Sequence, residues 1–166
     1  MNHHLILGGA RSGKSTYAEQ CALSLSENPI YIATAQAGDE EMQTRIKKHQ
    51  DDRSAHWQLI EEPLELAESI ANIKQQSVIL VDCLTLWLSN CLHEQCWQKQ
   101  QKAFLEQINL SQHQLILVSN EVGLGVIPMG ALSRQFVDQS GWLHQTLVQH
   151  CDRVTQVIAG LPQRLK

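Results

Sequence analysis

The chain has 166 residues, 43% of them hydrophobic and 18% charged, with a formal net charge of -4. That length buries a core without disulfides or a structural metal, and the balance excludes a disordered or fibrous chain. With 13 Lys and Arg and no dense basic run, a nucleic-acid backbone is not the expected partner. The longest aliphatic runs, such as Val78-Ile79-Leu80-Val81, fall far short of the roughly 20 residues of a membrane span. The N-terminus lacks the basic start and long apolar stretch of a signal peptide, so a cytoplasmic protein is expected. Five scattered cysteines (Cys21, Cys83, Cys91, Cys96, Cys151) form no C-x-x-C pair, and the eight histidines show no metal-ligand spacing. Neither a disulfide framework nor a zinc site is expected.

In chain order, Leu5–Leu7 reads as a strand and residues 14–26 as a helix. Ile30–Ala33 is the second strand, followed by a helix near 40–53, and Trp57–Ile60 is a weaker strand, placed at an edge. A helix near 64–74 takes Pro63 in its first turn. Val78–Val81, a helix near 85–109, Leu115–Ser119, a helix near 131–150 and Val154–Ala159 complete the order. Short, continuously apolar strands alternating with helices predict an α/β fold, a mostly parallel sheet covered on both faces, in a single domain spanning 1–166.

Between the first strand and its helix lies Gly8-Gly9-Ala10-Arg11-Ser12-Gly13-Lys14-Ser15, a match to G-x-x-x-x-G-K-[ST]. Glycines let the backbone curl so that successive N–H groups face a phosphate chain beside the positive end of a helix. Lys14 is expected to reach the β and γ phosphates and the Ser15 hydroxyl to ligate magnesium. Asp82, at the end of Val78–Asp82, is a second candidate magnesium ligand, taken to lie on a strand neighbouring the loop; alternatively it caps the next helix. Arg45, His49 and Arg53 share one helix side at i, i+4, i+8 spacing, a row suited either to a triphosphate or to solvent. Ser119 to Pro128, with two glycines and a proline after an apolar strand, reads either as a site loop at the sheet's carboxyl edge or as a plain connection.

Taken together, these segments resemble the bifunctional adenosylcobinamide kinase/adenosylcobinamide-phosphate guanylyltransferases of cobalamin biosynthesis. The likeness spans nearly the whole chain. It is carried by Gly8–Ser15, Tyr31–Ala35, Asp39–Met42 leading to Arg45, Ile46 and His49, then Asp51, Arg53, His56-Trp57, Glu61, Asp82–Thr85 and Asn120–Pro128. It implies a P-loop NTPase of RecA-like fold that phosphorylates adenosylcobinamide with GTP or ATP. It further implies transfer of GMP from GTP onto adenosylcobinamide phosphate through a GMP-histidine, with His49 at the matching position. The implied nucleotide contacts are Gly8, Gly9, Ala10, Arg11, Ser12, Gly13, Lys14 and Ser15, with Ala33, Thr34, Ala35, Gln50, Asp51, Asp52, Arg53, Glu61 and Asp82. Mg2+ with GTP or ATP as substrates, no tightly bound cofactor, and a homo-oligomer, a trimer in the family, follow by the same likeness. Val137, Trp142 and His144 replace the family's usual arginine, arginine and asparagine, at positions that bear on the corrinoid site and the subunit contacts. Two other classes compete: a P-loop small-molecule kinase without a histidine step, and a non-catalytic nucleotide switch.

Overall fold

The computed structural model describes residues 2–35 and 57–166. The expected helix near 40–53 and the row Arg45, His49, Arg53 lie outside the described residues. Seven strands form one sheet: β1 (His4–Gly8), β2 (Ile30–Ala33), β3 (Gln58–Glu61), β4 (Val78–Asp82), β5 (Gln114–Asn120), β6 (Arg153–Ile158) and β7 (Leu161–Arg164). Their spatial order is β3-β2-β4-β5-β1-β6-β7, parallel throughout except for the β6–β7 pair. The described helices are α1 (Lys14–Leu25), α2 (Leu66–Ala71), α3 (Leu84–His93), α4 (Trp97–Leu110) and α5 (Ala131–His150).

Why the central strands are apolar at every position follows from burial on both faces. Ile6, Leu80, Ile116 and Val118 pack with Ala18 and Ala22 of α1 on one face. Leu5, Leu7, Ile79, Val81, Leu115 and Leu117 meet Leu66 and Ile70 of α2, Trp87 of α3, Phe104 of α4 and Leu143 and Leu147 of α5 on the other. Trp87 anchors that second layer: it is fully buried, edge-on to Trp97 at 5.2 Å and tilted against Phe104 at 5.0 Å. Its indole N–H donates to the Leu64 carbonyl at 2.7 Å, so the largest core side chain carries no unsatisfied donor.

Four expectations change. The single helix near 85–109 is two, α3 and α4, because Gln95 takes a left-handed φ of 54° and the chain turns there, with Cys96 N–H donating to the Cys91 carbonyl. The helix near 64–74 is only Leu66–Ala71, with Pro63 outside it. The Glu62 carboxylate organises that turn instead, accepting the N–H groups of Leu64 (2.9 Å) and Glu65 (2.7 Å) and the Ser69 hydroxyl (3.2 Å). The sixth strand stops at Ile158, and β7 pairs back on it through Ala159 (φ 51°) and Gly160 (φ 80°), a two-residue hairpin turn with both φ positive. Finally, β4 does not adjoin β1: β5 is inserted between them. Trp57–Ile60 is found as Gln58–Glu61 and does lie at a sheet edge.

His4, on β1, is buried and hydrogen-bonded through Nε2 to the Thr155 hydroxyl at 2.8 Å. Burial, with help from the charge of Arg153, pushes its pKa down to about 4. The unfolded chain therefore binds a proton near pH 6.5 that the folded chain refuses until about pH 4, so stability falls as pH drops through that window. At pH 5 the expected loss from this group is on the order of 2 kcal/mol relative to pH 7.5. Urea midpoints at the two pH values check it. His4→Gln should shrink the difference, and an undiminished difference would refute the assignment to His4.

Candidate active site

The loop between β1 and α1 is built around close backbone approaches. A Cβ at Gly8 would stand 2.5 Å from the Ser12 hydroxyl oxygen and 2.7 Å from the Val157 carbonyl oxygen, so only glycine fits. Arg11 (φ 55°) and Gly13 (φ 91°) take left-handed conformations on either side of Ser12. Alternation of this kind turns amide groups toward one concave side and forms an anion nest. Gly13 is the N-cap of α1, no described side chain caps it, and the first turn carries no acidic residue. The positive end of a 12-residue helix is thus left to an incoming anion.

Lys14 is buried and its ammonium donates to the Gly9 carbonyl at 3.2 Å, folding back across the loop. Ser12 is also buried, and its hydroxyl has no hydrogen-bond partner among the described residues. From behind, the β6–β7 turn braces the loop: Gly160 N–H donates to the Ser12 carbonyl at 2.7 Å. The sequence reading missed this brace, although the Ala-Gly step after an apolar strand was its available signal.

The other candidates converge on the carboxyl edge of the sheet. Strand register places Ile6, Val118, Asp82, Ala33 and Glu61 on one rung across β1, β5, β4, β2 and β3. Asp82 thus sits two strands from the loop strand. It alternates with Leu80 and Val78, which pack on the α1 face, so it shares the loop's side of the sheet. The Tyr31 hydroxyl donates to Asp82 Oδ2 at 2.9 Å, and α3 is capped at Cys83 with no side-chain bond, so a capping role for Asp82 is not seen. Thr34 is fully buried, its hydroxyl tied to the Cys83 carbonyl (2.7 Å) and amide (2.8 Å), and its carbonyl held by the Asn90 amide (2.9 Å). Its side chain therefore joins β2 to β4, and only Ala33 and Ala35 are left partly open beside it. Glu61 lies exposed on edge strand β3. His49, Gln50, Asp51, Asp52 and Arg53 lie outside the described residues.

Ser15 and Asp82 offer a hydroxyl and a carboxylate, the hard oxygen donors that Mg2+ takes alongside water and phosphate oxygens. Among the described residues no group of three or more His, Cys, Asp or Glu could hold a metal. A magnesium shared with a nucleotide needs no such cluster, because the phosphates and waters complete its shell. The donor set fits the ion.

Two features escaped the sequence reading. Glu121, just past β5, donates its N–H to the Gly8 carbonyl at 3.0 Å. His144 of α5 is buried with Nε2 2.7 Å from the Ser119 hydroxyl. Of the three positions that depart from the family pattern, His144 is buried, Val137 half-buried and Trp142 exposed.

Likeness to known proteins agrees with this geometry. Among solved structures, a phage-type helicase aside, the fold recurs in an ATPase domain that superposes with a TM-score of 0.52 at 13% identity, over 93% of this chain and 68% of that one. The Pyrococcus horikoshii OT3 protein of project PH0250 gives 0.55 at 12%, over 99% and 86%. At such identities the likeness is one of fold, that of a P-loop ATPase. Relatives by sequence are closer. The bifunctional adenosylcobalamin biosynthesis protein CobP of Pseudomonas aeruginosa is 51% identical over 98% of this chain and 96% of its own length. The proteins of that description called CobU are 35% identical in Escherichia coli and 33% in Salmonella typhimurium, each covering 98% of both chains. No described helix is long and apolar enough to cross a membrane. Residues 4–165 match the family described as cobinamide kinase / cobinamide phosphate guanyltransferase, and the chain belongs to that family of transferases.

Proposed function

We propose that this protein phosphorylates adenosylcobinamide with a nucleoside triphosphate and then transfers GMP from GTP to the product through a GMP-histidine, with His49 as nucleophile. The observation that carries the reading is the juxtaposition, in a member of this family, of a glycine-built phosphate loop and Asp82 on the same side of the sheet edge. The amides of the loop and the N-terminus of α1 bind the phosphate chain, and Lys14 neutralises charge on the departing group. Mg2+, when bound through Ser15 and Asp82, supplies further charge neutralisation between phosphates.

For guanylyl transfer, the neutral His49 imidazole is a competent nucleophile near pH 7, since its ordinary pKa is about 6.5. Attack at the α-phosphorus forms a phosphoramidate and expels pyrophosphate, after which the cobinamide phosphate oxygen displaces the histidine. Ala33, Ala35, Gln50 to Arg53 and Glu61 are the proposed nucleotide contacts. Thr34 supports them through β2 and β4. The site works in the cytoplasm, where GTP, ATP and the corrinoid are available, and a neighbouring subunit of a homotrimer completes it.

The test is a product assay. With adenosylcobinamide and GTP, mass spectrometry should find adenosylcobinamide phosphate, then adenosylcobinamide-GDP with one pyrophosphate per GMP transferred. Nucleotide binding without corrinoid turnover would favour a switch, and phosphorylation alone would favour a plain kinase.

A further inference from the structure

We propose that Glu121 is the carboxylate that orients and deprotonates the acceptor hydroxyl in the kinase step, and that His144 is the residue that positions it. The proposal rests on the family's kinase reaction and adds two residues to it. Three of the carboxylates already placed at this edge can be compared: Glu61, Asp82 and Glu121. Glu61 is four strands from the loop strand β1, and Asp82 is two strands away and takes the Tyr31 hydroxyl. Glu121 follows β5, which pairs directly with β1, and its main chain is fastened to the Gly8 carbonyl. An acceptor hydroxyl approaching a phosphate chain held by that loop therefore meets Glu121 first.

Its side chain is built to stay there. Oε1 accepts the Gly123 N–H at 2.6 Å, while Oε2 lies 4.0 Å from His144 Nδ1. The carboxylate retains 22% of its exposure and the imidazole 10%, so one faces the edge and the other the interior. Behind His144 runs a buried relay. The Asn120 N–H donates to the Thr85 hydroxyl oxygen (2.7 Å), which stands 3.3 Å from the Ser119 hydroxyl, itself 2.7 Å from His144 Nε2. Since the Thr85 oxygen accepts from Asn120, its own proton goes to Ser119 and the Ser119 proton to Nε2. That leaves the single imidazole proton on Nδ1, directed at Glu121. Burial holds His144 below its ordinary pKa, against the raising pull of Glu121, in keeping with this neutral tautomer.

The order Ser119, His144, Glu121 has the connectivity of a hydrolase triad, but Ser119 is 1% exposed and no substrate can reach it. Its polarity serves orientation instead. In the step itself, a lone pair of the acceptor hydroxyl bonds to the γ-phosphorus as the bond from that phosphorus to the β–γ bridging oxygen breaks. The bond's electron pair leaves with the nucleoside diphosphate. The hydroxyl proton passes to the Glu121 carboxylate and from there to solvent.

The experiment compares Glu121→Gln with the wild type in two reactions: phosphorylation of adenosylcobinamide by ATP or GTP, and self-guanylylation with GTP alone. Glutamine can still accept the Gly123 N–H but cannot take a proton. Kinase kcat should fall about 100-fold, the usual worth of a general base, with little change in KM for the nucleotide. Self-guanylylation uses a neutral imidazole and no acceptor hydroxyl, so it should stay within about threefold. Kinase turnover within threefold of wild type would overturn the proposal, as would equal loss of both reactions, which marks a structural role. A wild-type protein that phosphorylates no cobinamide would overturn the kinase reading itself. For His144, the shape-preserving His144→Phe should cost at least tenfold in kinase kcat, and His144→Asn, which restores a polar partner, should recover most of it. Wild-type kcat in His144→Phe would overturn the positioning role.

Discussion

Lys14→Ala is expected to lower kcat/KM for phosphorylation and for guanylyl transfer together, by roughly 10³-fold, or about 4 kcal/mol at the transition state. Both reactions break a phosphoanhydride bond, and both load negative charge onto the oxygen that leaves. The Lys14 ammonium is held over the loop by the Gly9 carbonyl at 3.2 Å, where little water competes for it. Removing it deletes a cation whose charge already lies inside the phosphate cradle. The fold should persist, because α1 is seated on the sheet through Ala18 and Ala22. Steady-state kinetics of both reactions, with thermal melts as a control, check this. Retention of either reaction at wild-type rate would mean that its triphosphate does not lie on this loop.

His49→Ala is expected to separate the two reactions. Guanylyl transfer should fall below detection, since alanine offers no nucleophile and direct attack by the cobinamide phosphate forfeits the two-step path. Phosphorylation should survive within about tenfold, because the γ-phosphoryl passes straight to a hydroxyl and needs no covalent intermediate. Product analysis with adenosylcobinamide should then stop at adenosylcobinamide phosphate. Continued formation of adenosylcobinamide-GDP by this variant would remove His49 from the mechanism.

Which parts of the molecule could be read from the sequence follows from how locally each is determined. The five central strands are apolar at nearly every position because helices cover both faces, and such runs show without any knowledge of their neighbours. The phosphate loop is equally local: glycine at 8 and 13 is demanded by the loop's own turns and by close contacts with Ser12 and Gly160. By contrast, β7 reads Leu161-Pro162-Gln163-Arg164, exposed throughout, and carries no core pattern to announce it. Pro162 suits it, as an edge strand can spare an N–H. The break between α3 and α4 falls at Gln95, with no glycine or proline to mark a left-handed residue. Strand order was out of reach too, so Asp82 was placed on a strand adjoining the loop when β5 intervenes. The Ser119–His144–Glu121 cluster is the clearest case of what a linear reading misses. Its partners Ser119 and His144 are 25 residues apart on β5 and α5 and meet only because helix and sheet pack together.

The most direct measurement incubates the wild-type protein with GTP labelled at the α-phosphate, denatures it, and asks what stays bound. A phosphoramidate on histidine is labile to acid and stable to base, so the account predicts retained label with that signature, located on the peptide containing His49 and absent from His49→Ala. Active protein that retains no label, or a label that survives in His49→Ala, would contradict it.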